Sequence, residues 1–260
     1  MNYFLNFVFY KHKTKFIIYL SFLDKLAKNL KGDKMSLYDR NYTQDVGVEE
    51  SSSVQTARAE FVKQTYKLLT ASLLAATAGA YIGVDYVKSF SWMLLIVEFA
   101  LLFGLMFSRK NPTLALVMLF GFTFVSGLTL GPVLNTYIGA GMGHIITQAF
   151  LMTSVAFGGL TVFAFNTKKD FSAMGKMLFI TLIVIVVASL LNLFFQSAIL
   201  ATVVAAIGAI LFSAYILYDT QMIIRGGYDS PVLAAVALYL DILNLFISLL
   251  QLLGIFSKNE

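Results

Sequence analysis

Ser213-Ala-Tyr-Ile-Leu-Tyr-Asp219 and Ala237-Leu-Tyr-Leu-Asp241-Ile-Leu-Asn244-Leu-Phe-Ile-Ser248-Leu-Leu-Gln251 set two carboxylates inside otherwise apolar sequence near the end of the chain. An ionisable group within a membrane span costs at least ~2.5 kcal/mol on insertion scales, so it normally faces a bundle interior or water and has a partner. Asp241, Asn244, Ser248 and Gln251 fall at i, i+3, i+7 and i+10. At 100° per residue they occupy an arc of roughly 80° on one helix face, and that face cannot look at lipid. The final helix therefore reads as a central one with its polar stripe turned inward, and Asp219 on the preceding helix is its nearest candidate partner.

The composition sets the class. Of 260 residues 58% are hydrophobic and 13% charged, and the mean hydropathy is +0.79. A soluble domain of this length does not carry such a balance, so the chain reads as a polytopic all-α membrane protein in a lipid bilayer. There is no cysteine, which removes disulfides, thiolate metal sites, iron–sulfur clusters and cysteine nucleophiles together. The net charge of +5 is arranged as a topology signal, and no folded basic surface for nucleic acid is visible.

Along the chain, Met1–Tyr10 is apolar and lysines follow at 11, 13, 15, 25, 28, 31 and 34, the reverse of the order in a signal peptide. Residues 1–34 read as a translation-start extension or an interfacial helix, because Met35 opens a more ordinary polar start. Residues 1–53 form the expected cytoplasmic tail. Ser52-Ser53-Val54-Gln55 fits a capping box that would begin the first helix, and residues 54–260 form the expected transmembrane domain.

From Leu68 on, apolar runs of a length that crosses a ~30 Å hydrocarbon core recur. The spans read as 68–87, 90–108, 112–132, 143–166, 176–195, 198–222 and 232–256, a bundle of seven helices. Connections this short leave no room for a soluble catalytic domain, and no Ser/His/Asp constellation can be assembled, so the chain reads as no enzyme and needs no cofactor. Arg58, Lys63, Lys67, Arg109, Lys110, Lys168, Lys169, Lys176 and Arg225 fall on one side, and Lys88 and Lys258 on the other. That bias predicts a cytoplasmic N-terminus and an outside C-terminus.

Ala75-x-x-x-Gly79-x-x-x-Gly83, with Gly121, Gly127 and Gly131, marks surfaces for close helix packing. His144 and Gln148 at i, i+4 read as satisfied polar residues, and Gly139-x-Gly141-x-Gly143 follows no strand, so it is no phosphate loop. Glu98 stands within the second span and Arg109 eleven residues later, three turns on and nearly on the same face. Arg109 reads equally well as a topology anchor or as a partner at the level of Asp219, and Glu98 as a partnered structural carboxylate.

The segment Gly121 to Leu130, Ala156-Phe-Gly-Gly-Leu with Phe163 and Phe165, Tyr218-Asp219-Thr220-Gln221 and Ala237-Leu-Tyr-Leu-Asp241-Ile-Leu-Asn244-Leu-Phe together resemble the Bax inhibitor-1 (transmembrane Bax inhibitor motif) family, bacterial branch, over nearly all of residues 54–256. The resemblance implies a seven-helix bundle of the bacterial cytoplasmic (inner) membrane with the seventh helix at the centre, and a pH-sensitive calcium leak across it. It implies that Asp219 and Asp241 form a proton-sensing pair, that Arg109 can latch one of them and that Glu98 matches an acidic position above. It also implies a second role for some bacterial relatives, as partners of a membrane-anchored AAA protease through the N-terminal tail.

The chemistry of the residues fits such a device. Two carboxylates sharing a low-dielectric site cannot both ionise cheaply and titrate as a unit. Protonated, they can hold two helices together. Deprotonated, they repel and offer hard oxygen ligands for a transient calcium contact, with Arg109 competing. Glu98, Asn244, Ser248 and Gln251 would line the path. A structural pair that only joins two helices and a proton-coupled transporter both remain open, although no internal repeat of the transporter kind is visible.

Overall fold

The computed structural model describes residues 47–87, 91–108 and 111–257, with the side chains of residues 47–53 left aside. The described residues form seven α-helices: α1 (Gly47–Tyr86), α2 (Trp92–Phe107), α3 (Pro112–Gly139), α4 (Gly143–Asn166), α5 (Gly175–Phe195), α6 (Ala198–Ile224) and α7 (Pro231–Ser257), with a 3-10 turn at Ser172–Met174 before α5. Six are long and apolar enough to cross a membrane, and α2 is a shorter apolar helix. In lipid a helix is the way for a single segment to satisfy all its own backbone polar groups, which is why apolar runs of this length take this form.

The boundaries follow local chemistry. Ser91, Asn111 and Ser197 cap the amino ends of α2, α3 and α6, each accepting from the backbone N–H three residues on, at 3.4, 3.2 and 3.3 Å. Gln196 takes a left-handed conformation (φ 48°) after α5, and the Ser197 N–H donates to Asn192 Oδ1 at 2.9 Å, so two residues suffice to reverse the chain.

Two boundaries differ from the sequence reading. The stretch Ser52–Gln55 lies inside α1, which begins at Gly47, so the capping box is not the helix start. Proline-free sequence with Glu49 and Glu50 close to the amino end suits the positive end of a helix dipole and lets the helix begin earlier. In the third helix, Pro132 is not a stop, since α3 runs seven residues beyond it to Gly139. The carbonyl of Pro132 accepts from Thr136 Oγ1 at 2.9 Å, and unwinding here would leave polar backbone in an apolar medium.

Helices α1 and α3 pack backbone to backbone. Gly79 lies against the Phe124 carbonyl, Gly127 against the Ala76 carbonyl and Gly131 against Gly83; a methyl group at Gly83 would stand 2.6 Å from the Leu128 carbonyl. The small residues of the two helices therefore mesh as their spacing foretold. Gly121 instead faces Leu101 of α2. His144 and Gln148 are exposed on α4.

The last helix touches α1, α3, α4 and α6. Buried positions make up 78% of the most apolar stretch of α7, against 17% for α4. Its aliphatic residues join Leu69, Leu102, Leu119 and Phe122 in one apolar cluster, and a second cluster joins α5 and α6 through Leu182, Ile185, Phe212 and Tyr215. Arg109, the tail before Gly47 and the last three residues lie outside the described residues.

Candidate functional site

Both aspartates lie in the most enclosed segments of their helices. Asp219 is 2% exposed on α6 and Asp241 0% on α7, and residues 215–221 of α6 and 234–245 of α7 are buried throughout. The two helices pack against each other. Asp219 stands five residues before the end of α6, about 7 Å, and Asp241 ten residues after the start of α7, about 15 Å. Each is therefore nearer the α6–α7 connection than the far end of its helix.

The end of α2, the start of α3 and the middle of α1 gather on that side. A cavity of about 430 Å³ is lined by Gln64, Lys67, Leu105, Pro112, Ser230 and Leu233, among others, so α1 near residue 67, the end of α2, the start of α3 and the start of α7 share one level. Glu98, 2% exposed on α2, stands nine residues before Phe107, about 14 Å from that level. It is within electrostatic reach of Tyr239 on α7, two residues from Asp241. The Tyr239 hydroxyl donates to Ser126 Oγ of α3 at 2.9 Å.

The polar stripe of α7 is buried along its length: Asn244 is 5%, Ser248 8% and Gln251 8% exposed. Asn244 Nδ2 donates to the Leu240 carbonyl at 2.7 Å and Ser248 Oγ to the Asn244 carbonyl at 2.8 Å. These two side chains satisfy themselves on their own helix. Gly208 of α6 makes room for Ser248, whose Oγ would lie 2.8 Å from a methyl group there.

The sequence reading missed two residues beside Asp219. Gln221, 3% exposed, clasps the α4–α5 connection: its Oε1 accepts from the Phe171 N–H at 2.9 Å and its Nε2 donates to the Lys169 carbonyl at 2.8 Å. One turn on, Arg225 pairs with Asp170 at 2.6 Å. The second is Tyr228, in the α6–α7 connection, whose phenol lies within electrostatic reach of Asp219. Burial first, and then the charge of Asp219, hold the Tyr228 phenol well above its ordinary range, so it remains a proton donor. Nothing in the spacing of Tyr228 flags it; the turn chemistry of Gly226-Gly227 is the only local signal.

A bundle of apolar helices long enough to cross a bilayer, with carboxylates buried inside it, defines a polytopic α-helical membrane protein. Residues 58–258 match a family model described as "Inhibitor of apoptosis-promoting Bax1". A protein of Campylobacter jejuni is 56% identical over 232 residues, covering 86% of this chain and all of the relative. A protein of Vibrio cholerae described as an uncharacterized membrane protein is 38% identical over 204 residues, 76% of this chain and 91% of the relative. A Golgi anti-apoptotic protein of vaccinia virus is 35% identical over 230 residues, 85% of this chain and 94% of the relative. The chain belongs to the Bax inhibitor-1 family.

Proposed function

We propose that this protein is a pH-sensitive calcium leak of the bacterial cytoplasmic membrane, opened when the Asp219–Asp241 pair loses its proton. The observation that carries the reading is the burial of both carboxylates, at 2% and 0% exposure, on packed neighbouring helices. Keeping two acids in an apolar bundle is costly, and one use that offsets the cost is a proton-sensitive joint. With the pair protonated, α6 and α7 hold together. With it deprotonated, like charges repel, and four carboxylate oxygens suit a hard cation that takes six to eight oxygen ligands. Glu98, at about the depth of Asp241, extends the acidic path toward the other face, and Arg109 competes with calcium for the pair.

The reading includes seven spans, with α7 central, the N-terminus cytoplasmic and the C-terminus outside. Support for α2 as a span comes from connectivity. Tyr86 lies 19 residues beyond Lys67 on α1, about 28 Å, yet Pro112 lines the same cavity as Lys67. The chain must return across that distance, and α2 is the segment that does so. Its 16 residues reach about 24 Å, a mismatch that local thinning of the bilayer accommodates at modest cost.

Calcium entry into proteoliposomes of purified protein, followed from mildly acid to mildly alkaline pH, tests the reading. Asp219→Asn and Asp241→Asn, made singly, are each expected to flatten the rise in flux with pH. A single variant that kept the full pH response would overturn it.

A further inference from the structure

Charge stops abruptly on α1. Arg58, Glu60, Lys63 and Lys67 punctuate its early turns, and residues 68–84 then carry no charge, so Lys67 marks the level at which the helix passes from the headgroup region into hydrocarbon. At that level α2 stands off from most of its neighbours. It packs closely on α3 alone, and the cavity of about 430 Å³ lies where its end, the start of α3, the start of α7 and α1 face one another. The floor is apolar and enclosed, with Leu105, Ala115 and Val232 buried. The rim, at Gln64, Lys67 and Pro112, is exposed. The volume is within the ~300–1,000 Å³ of small-molecule sites, which likewise set a few polar groups among apolar walls.

We infer that this crevice binds an anionic phospholipid, its phosphate on Lys67 and part of one acyl chain against Leu68, Leu105 and Leu116. Lys67 is the cation available for it. One turn earlier Lys63 pairs with Glu60 at 3.4 Å, whereas among the described residues no carboxylate lies within ion-pair distance of Lys67. No carboxylate lines the cavity, and Asp229, beside the lining Ser230, is exposed. A basic side chain at headgroup depth over an apolar slot between helices complements a phosphate that carries its own chains. Gln64 and Ser230 offer hydrogen bonds to phosphate and glycerol oxygens. A zwitterionic headgroup brings a second cation beside Lys67 and fits less well, and a free phosphate leaves the apolar walls uncovered. The site goes beyond the leak reading and does not depend on it.

The chain has one tryptophan, Trp92. In a Trp92→Phe background a single Leu116→Trp therefore reports on the crevice by its fluorescence, and Val155→Trp, at an exposed position of α4, reports on ordinary lipid contact. The protein is placed in vesicles of phosphatidylglycerol and phosphatidylcholine, with one lipid or the other brominated on its acyl chains. Quenching at Leu116→Trp is expected to favour phosphatidylglycerol ~5-fold, the equivalent of the ~1 kcal/mol that a lysine contributes near an anionic surface. At Val155→Trp neither lipid is expected to be favoured. Lys67→Gln is expected to remove the preference at Leu116→Trp, and Lys67→Arg to retain it. Equal quenching by the two lipids at Leu116→Trp, no quenching by either, or a preference that survives Lys67→Gln overturns the site. The two reporter positions are compared first with Lys67 unchanged, so the test decides even if Lys67→Gln does not fold.

Discussion

Asp170 and Gln221 sit side by side on the same clasp, and their chemistry separates a surface anchor from a buried one. The Asp170 carboxyl is held at about 2, first by the Ser172 backbone N–H, then by the Ser172 hydroxyl and the Arg225 guanidinium. A depressed carboxylate contributes above its ordinary value and loses that contribution as pH falls toward about 2. Between mildly acid and mildly alkaline pH it stays charged, so the Asp170–Arg225 pair is no sensor in that range. Asp170→Asn is expected to leave the pH midpoint of calcium flux where it is; a moved midpoint would shift the sensing role to the α4–α5 connection. Gln221→Ala should act differently, because it strands the Phe171 N–H and the Lys169 carbonyl beside a buried site. Leaving a buried group unpaired costs ~1–3 kcal/mol, and because Lys169 is exposed and Phe171 half-buried, water offsets part of that here. The expected result is faster hydrogen exchange at the Phe171 amide and a lower thermal midpoint in detergent. Asp219 and Asp241 were legible in the sequence because a charge in an apolar run is conspicuous. Gln221 and Tyr228 were not, since the partners of Gln221 are backbone groups 50 and 52 residues away and the position of Tyr228 depends on a turn.

Among the elements, the α1–α3 pair depends most on the absence of side chains. Gly127 meets the Ala76 carbonyl, while Gly158 on α4 has open space around it. Gly127→Leu is expected to force the two backbones apart and destabilise the fold by ~1–3 kcal/mol or more. Gly158→Ala is expected to be stabilising by roughly 0.5–1 kcal/mol through helix propensity alone. Thermal unfolding of the two variants in one detergent distinguishes backbone packing from propensity; equal midpoints would contradict the close approach. The helices from α4 to α7 were readable to within two residues because their apolar runs stop at short connections of polar residues, glycine or proline. The start of α1 and the passage of α3 through Pro132 were not. A local signal such as Ser52–Gln55 or Pro132 loses where the flanking sequence continues to favour a helix and an apolar surrounding makes breaking one expensive.

For the whole molecule, the buried last helix and the gathering of helix ends around one cavity make the two faces of the bundle unequal. The face carrying Lys67, Arg225 and the α4–α5 connection with Lys168 and Lys169 is the one the positive-inside rule assigns to the cytoplasm. Single cysteines introduced at Lys168 and at Gly141, labelled from one side of intact cells, are expected to be protected and accessible respectively; the opposite pattern would invert the topology. The central claim is that Asp219 and Asp241 gate a calcium path together. Its most direct test is calcium entry into proteoliposomes from mildly acid to mildly alkaline pH, for the unmodified chain beside the Asp219→Asn, Asp241→Asn double variant. The expected result is a flux that rises with pH in the unmodified chain and a flux without pH dependence in the double variant. No flux in either, or the same pH response in both, would contradict the claim and leave the two aspartates as a joint between α6 and α7.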